Sequence, residues 1–181
     1  MNKRIIAAVR NDGELKEAVK SDVCMIFMLA PNIEDIKAQA ELVHSAGKKL
    51  FIHIDLAEGI GKDECGIRFA KKLGVDGIIS TRTSLIKTAS KLGICTVQRF
   101  FIVDSHSVNT SIETAKQSKA DMIEIMPGIV AKVIKRMKEE LDVPIVAGGL
   151  VETLSEVEEA LSYGVAAIST GKKEFWGGCN E

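Results

Sequence analysis

Aromatic side chains are scarce in this chain of 181 residues: one Trp, one Tyr and 4% aromatics in all. A protein that holds single-stranded nucleic acid by stacking bases on rings would have few rings to use. Net charge is nearly absent as well. The 24 Lys and Arg against 25 Asp and Glu leave a formal −1, so no global field draws the chain to nucleic acid or to an anionic membrane. Any RNA contact would rest on a local basic patch. No CxxC pair occurs among Cys24, Cys65, Cys95 and Cys179, and three of them lie in or beside apolar runs. That pattern reads as buried free thiols in a reducing compartment. No apolar run reaches the length of a membrane span. The N-terminal MNKRIIAAVR has no signal-peptide core, because Asn11-Asp12-Gly13 ends its apolar run too soon. HExxH, GxSxG and clustered Cys/His ligands are all missing, so metal-assisted hydrolysis and serine acyl transfer have no support and no metal site is expected. What remains is an expectation of one cytoplasmic globular domain over residues 1–181, with 46% apolar content to build its core.

What the sequence does contain is alternation. Short apolar runs at 5–9, 23–29, 50–55, 77–82, 95–101, 121–127, 143–149 and 166–171 are separated by amphipathic helical patterns. Continuous apolar runs suggest strands covered on both faces, hence parallel pairing. Gly47, Gly74, Gly93 and Gly164 stand just past helical segments, where a left-handed C-cap suits glycine. Asn32, Thr83 and Thr153 or Ser155 are N-cap candidates. Eight such units point to a compact TIM-barrel-like parallel (β/α) barrel, with a doubly wound sheet as the alternative. The length is short for a barrel, so some helices should be short or missing, the eighth above all. GVDGIIST at 74–81 and GVAAIST at 164–170 echo each other at the fourth and eighth units, as a half-barrel duplication would.

In a barrel the loops after the strands build the site, and those after strands seven and eight often hold phosphate. Here they read AGGL and STG. Gly148 and Gly149 would let backbone N–H groups reach phosphate oxygens with no Cβ in the way, while Ser169, Thr170 and Gly171 add donors from the neighbouring strand. The competing explanation is that the glycine pair only makes a tight turn. Other strand ends carry Asp55, Glu58, Arg82, Arg99, Asp104 and Glu124. Alternation puts Phe51, His53 and Asp55 on one face of their strand, and Met122, Glu124 and Met126 on one face of theirs. A carboxylate inside an apolar strand must be paired or neutral, and Arg99 on the adjacent strand is the natural partner for Glu124. That pair could be structural or could touch a ligand. His53 reads as a core residue, and Asp55 with Glu58 as a weaker option for a divalent cation. The strand ends offer arginine, suited to bidentate anion recognition, but no lysine for Schiff-base chemistry.

The motifs FIHIDLAEGIGKD, DGIISTR, TVQRFFIVDS, DMIEIMPG, VPIVAGGL and AAISTGKKEFW, in this order, resemble the glycerol uptake operon antiterminator regulatory protein family along nearly the whole chain. The resemblance implies a bacterial, cytoplasmic, TIM-barrel-like regulator that is not an enzyme and needs no cofactor. It would respond to glycerol 3-phosphate and prevent termination in leader mRNA of glycerol-use genes. By the same resemblance Gly148, Gly149, Ser169 and Thr170 hold the phosphate, and Arg82 stands where the family is expected to carry lysine. The sequence itself has no RNA-binding signature. Lys48-Lys49, Lys71-Lys72, Lys172-Lys173 and the basic residues of AKVIKRMKEE read as solvated faces. An enzyme of a phosphorylated triose, with Glu124 or Asp55 as general base, is the alternative, as is a sensor that no longer binds RNA. The oligomeric state is left open, a homo-oligomer included.

Overall fold

The computed structural model describes residues 2–177. Eight parallel strands, β1 (Asn2–Val9), β2 (Val23–Met28), β3 (Lys49–His53), β4 (Gly77–Ser80), β5 (Cys95–Phe101), β6 (Met122–Met126), β7 (Ile145–Gly148) and β8 (Ala167–Thr170), close into a barrel in sequence order. Between them run α1 (Asp12–Lys20), α2 (Ile36–Ser45), α3 (Glu64–Lys72), α4 (Thr83–Lys91), α5 (Ser105–Ser118), α6 (Ala131–Glu140) and α7 (Leu154–Ser162). This is the TIM-barrel arrangement, and the doubly wound alternative is excluded by closure of β8 onto β1. After β8 comes one 3-10 turn, Lys173–Phe175, in place of an eighth helix. It buries Phe175 and Trp176 against the outer core, and the Trp176 indole N–H donates to the Thr170 carbonyl at 3.0 Å. No described helix is long and apolar enough to cross a membrane.

Strand alternation sorts the apolar residues into two clusters. Outward residues pack beneath the helices, whereas Ile6, Phe27, Phe51, Ile79, Val97 and Val146 fill the barrel axis. Gly77 belongs to that interior for a steric reason. A Cβ there would sit 2.1 Å from the Phe51 ring. Gly47, Gly74, Gly93 and Gly164 all have positive φ, as C-terminal caps require. Thr153 caps α7 with a reciprocal capping box, but Thr83 is the first helical residue after Arg82, and Asn32 lies ahead of the Asp35 cap of α2.

Several expectations are corrected. None of the three described cysteines is fully buried: Cys65 is exposed on α3, and Cys24 and Cys95 are half-buried. Cys179 lies outside the described residues. Lys48 is not solvated. Its ammonium is buried and donates to the carbonyls of Ser21 and Val23 at 2.6 and 2.5 Å. The echo between the fourth and eighth units is in register from its Gly-Val start: Val75 and Val165, then Ile78 and Ile168, face the helices, while Gly77 and Ala167 face the barrel interior. The one extra residue in the fourth unit shifts only the Ser-Thr ends.

Candidate functional site

The ends of β1, β7 and β8 open onto a cavity of about 280 Å³, with Arg99 from β5 reaching into it. Its floor is apolar, formed by Ala8, Leu29 and Met126, and its walls are the two glycine-containing loops. The glycine pair has two different causes. Gly148 faces the interior, where a Cβ would lie 2.5 Å from Glu124 Oε1. It is glycine because a carboxylate occupies the space. Gly149 has φ +72° and is followed by Leu150 at φ +57°. The backbone thus makes two successive left-handed steps, and a non-glycine residue there costs about 1–2 kcal/mol. Strain of this kind concentrates at functional loops. On the neighbouring strand Ser169 pairs in register with Gly148 and lines the cavity, and its hydroxyl has no hydrogen-bond partner among the described residues. The Thr170 hydroxyl is engaged locally, accepting from the Lys172 N–H at 3.1 Å. Gly171 also lines the cavity.

Beside this cavity the barrel carries its buried charge. Arg99 and Glu124 are register partners on β5 and β6, and Arg99 Nε donates to Glu124 Oε2 at 2.6 Å. Glu124 is wholly buried and Arg99 nearly so. Each makes the other's burial tolerable, since a lone charge at this depth would be prohibitive. His53 is also buried, and its imidazole is pushed down to about 4, first by burial and then by the Arg99 charge. It is neutral at neutral pH. Both His53 Nδ1 and Glu124 Oε1 are buried without a hydrogen-bond partner.

Two rim residues were missed in the sequence. Arg10 and Lys172 line the cavity from the exposed ends of β1 and β8, with Glu152 the acid among the lining residues. Their signal was positional: each lies within two residues of a strand's C-terminal end, where a barrel collects its site. Counting Arg99 with its partner Glu124, the surroundings carry a net positive charge suited to an anion.

The remaining candidates do not gather here. Asp55 is not on β3. The chain turns into a 3-10 helix at Ile54–Leu56, so the expected Phe51-His53-Asp55 face breaks at its last member. Its carboxylate accepts from Ser80 Oγ at 2.7 Å, Thr81 N at 2.7 Å and Thr81 Oγ1 at 2.9 Å, joining the loops after β3 and β4. Burial pushes the Asp55 carboxyl up, but the hydrogen bonds from Thr81 and Ser80 outweigh it and hold the group below its ordinary value. Arg82 stands 3.8 Å from Asp55 and is largely exposed. Glu58 is exposed and accepts from Asn32 Nδ2 at 3.2 Å, so it and Asp55 have separate partners. Asp104 caps α5, accepting from the Ser107 N–H at 2.7 Å, and points to solvent.

Comparison with known proteins bears on the family and the fold. Residues 5–176 match the family described as glycerol-3-phosphate responsive antiterminator. The uncharacterized protein YgcP of Escherichia coli is 39% identical over 173 residues, covering 95% of this chain and 91% of that protein. The crystal structure of the glycerol uptake operon antiterminator regulatory protein from Listeria monocytogenes superposes with a TM-score of 0.92 at 32% identity, covering 99% and 97% of the two chains. A glycerol uptake operon antiterminator-related protein from Thermotoga maritima gives 0.87 at 35% identity, covering 97% and 99%. A solved aldolase at 12% identity and a TM-score of 0.75, covering 94% and 90%, shares the fold alone. This chain belongs to the glycerol-3-phosphate responsive antiterminator family.

Proposed function

We propose that this protein senses glycerol 3-phosphate in the cavity at the ends of β7 and β8, and acts in the cytoplasm as an antiterminator on leader RNA of glycerol-use genes. The observation that carries the ligand reading is the meeting of Arg10, Arg99 and Lys172 with the Gly149–Val151 and Ser169–Gly171 loops around one small cavity. Its volume suits a three-carbon phosphate. The loops bring amide and hydroxyl donors and the rim brings charge, as phosphate binding requires. The RNA target rests on the family and on the antiterminator role that the Listeria relative's name carries.

The ligand is held and not transformed. Schiff-base chemistry requires a desolvated lysine, but Lys172 is exposed, and Lys62 donates its ammonium protons to the carbonyls of Ala57 and Ile60. Glu124 is bound to Arg99, and Asp55 accepts three hydrogen bonds. One feature favours the rival reading, an enzyme of a phosphorylated triose: the buried Nδ1 of His53 has no hydrogen-bond partner and is free to accept a proton. Turnover of triose phosphates that His53→Ala abolishes would establish that reading.

The test is thermal unfolding with glycerol 3-phosphate, glycerol and inorganic phosphate, followed by titration of leader RNA with and without ligand at fixed salt. A ligand at about 100 times its dissociation constant adds roughly 2.7 kcal/mol of stability. Glycerol 3-phosphate should raise the melting temperature and glycerol should not. Ser169→Ala should weaken the response by about 1–3 kcal/mol without unfolding the barrel. Equal shifts from glycerol and its phosphate would exclude a phosphate site, and RNA affinity indifferent to glycerol 3-phosphate would exclude the sensor role.

A further inference from the structure

Among the described residues, six of the nine exposed large apolar side chains stand on three successive connections at one end of the barrel. Phe101 ends β5 and Val103 follows it, Ile129 and Val130 follow β6, and Leu150 follows β7 with Leu154 opening α7. Their exposure runs from 36% to 83%, highest at Val103. The connections are adjacent. Ile102 N donates to the Met126 carbonyl at 2.8 Å, and Gly128 N to the Gly149 carbonyl at 3.1 Å. Scattered apolar residues on a surface need no explanation, but a contiguous patch marks an interaction site.

We propose that this face pairs with the same face of a second copy of the chain. Between the connections after β5 and β6 lies a groove of about 330 Å³ lined by Val103, Val108, Val130 and Val133. Asp104 stands on its α5 side, and Lys132 and Arg136 on its α6 side. Opposite charges on opposite walls make the groove complementary to itself. A two-fold axis sets the acidic wall of one copy against the basic wall of the other and buries the valines between them.

RNA fits this face less well. Phosphate contacts need several free cations and base stacking needs rings. The patch has one ring and two cations, and Asp104 would repel phosphate. Because Leu150 also lines the phosphate-facing cavity, the paired surface runs up to the cavity mouth.

The experiment is sedimentation velocity on the full chain over a roughly hundredfold concentration range, comparing wild type with Val103→Asp and Lys132→Glu. Neither residue lines the cavity. Wild type should sediment at twice the chain mass. Both variants should raise the dissociation constant about tenfold or more, keep the wild-type melting temperature within a few degrees, and keep the response to glycerol 3-phosphate. Lys132→Glu serves where Val103→Asp perturbs folding. A wild type that stays monomeric, or variants that pair as tightly as wild type, would overturn the proposal. So would loss of leader-RNA binding by Val103→Asp at unchanged mass, which would make the patch an RNA contact.

Discussion

Gly148→Ala adds one methyl group where the barrel has no room for it. The new Cβ would lie 2.5 Å from Glu124 Oε1, 3.2 Å from its Cδ and 3.4 Å from its Cγ. Gly148 does not adopt a positive φ, so the backbone tolerates alanine and the clash is the whole perturbation. The carboxylate cannot swing to solvent, because Glu124 is fully buried and its other oxygen holds Arg99 at 2.6 Å. Either β7 shifts outward or the ion pair deforms. Overpacking a core costs about 1–3 kcal/mol, and deleting one partner of a buried pair about 3–5 kcal/mol. The pair here is bent and not deleted, so a loss of about 2–3 kcal/mol is expected. Urea unfolding followed by circular dichroism should show a lower midpoint with an unchanged slope. Glu124→Asp withdraws the carboxylate by one methylene, so in the double variant the two losses should fall short of their sum by about 1 kcal/mol. Wild-type stability in Gly148→Ala, or strict additivity with Glu124→Asp, would refute the steric explanation of this glycine.

Three further outcomes follow from the same geometry. His53 is held neutral down to about pH 4 in the folded chain, whereas the unfolded chain takes up that proton near its ordinary 6.5. Its share of stability is therefore complete above about 6.5 and declines as pH falls toward about 4; His53→Leu should flatten urea midpoints between pH 6.5 and 5, and an unchanged slope would contradict this. Asp104→Ala should lose the α5 cap and lower the melting temperature, with no change in the ligand-induced melting shift. A diminished shift would bring Asp104 into the binding site. Gly77→Ala should drive its Cβ into the Phe51 ring and cost about 1–3 kcal/mol or more, with partial recovery by Phe51→Leu; a neutral Gly77→Ala would mean that the ring repacks freely.

The barrel was legible because its signal is periodic: eight apolar runs alternating with helical segments have few other ways to cover both faces of every strand. The Arg99–Glu124 pair was legible for a related reason, since a charge inside each of two consecutive strands must find the other. What escaped depended on where a strand stops. Asp55 left its expected face because β3 turns into a 3-10 helix one residue earlier, and alternation carries no mark of that turn. Asp104 was grouped with the strand-end charges, although the Asp104-x-x-Ser107 spacing is that of a capping box. Arg10 escaped because it sits on an exposed loop start with no motif of its own, and Lys172 because an exposed lysine pair reads as a solvated face; closure of the barrel brings β1 beside β8. Gly148 was expected to admit a phosphate, but its contact with Glu124 is a property of the neighbouring strand that no local string reveals.

In the proposed site Arg10 and Lys172 help hold a phosphorylated ligand against the β7 and β8 loops. Both are exposed, so the double variant Arg10→Ala/Lys172→Ala should keep its fold and melting temperature. Isothermal titration of glycerol 3-phosphate into wild type should give one site per chain, with affinity falling as salt rises, and no heat of binding from glycerol. The double variant should bind about tenfold or more weakly, at least 1.4 kcal/mol. Equal affinity in wild type and double variant, or equal binding of glycerol and glycerol 3-phosphate by wild type, would contradict the phosphate-binding account.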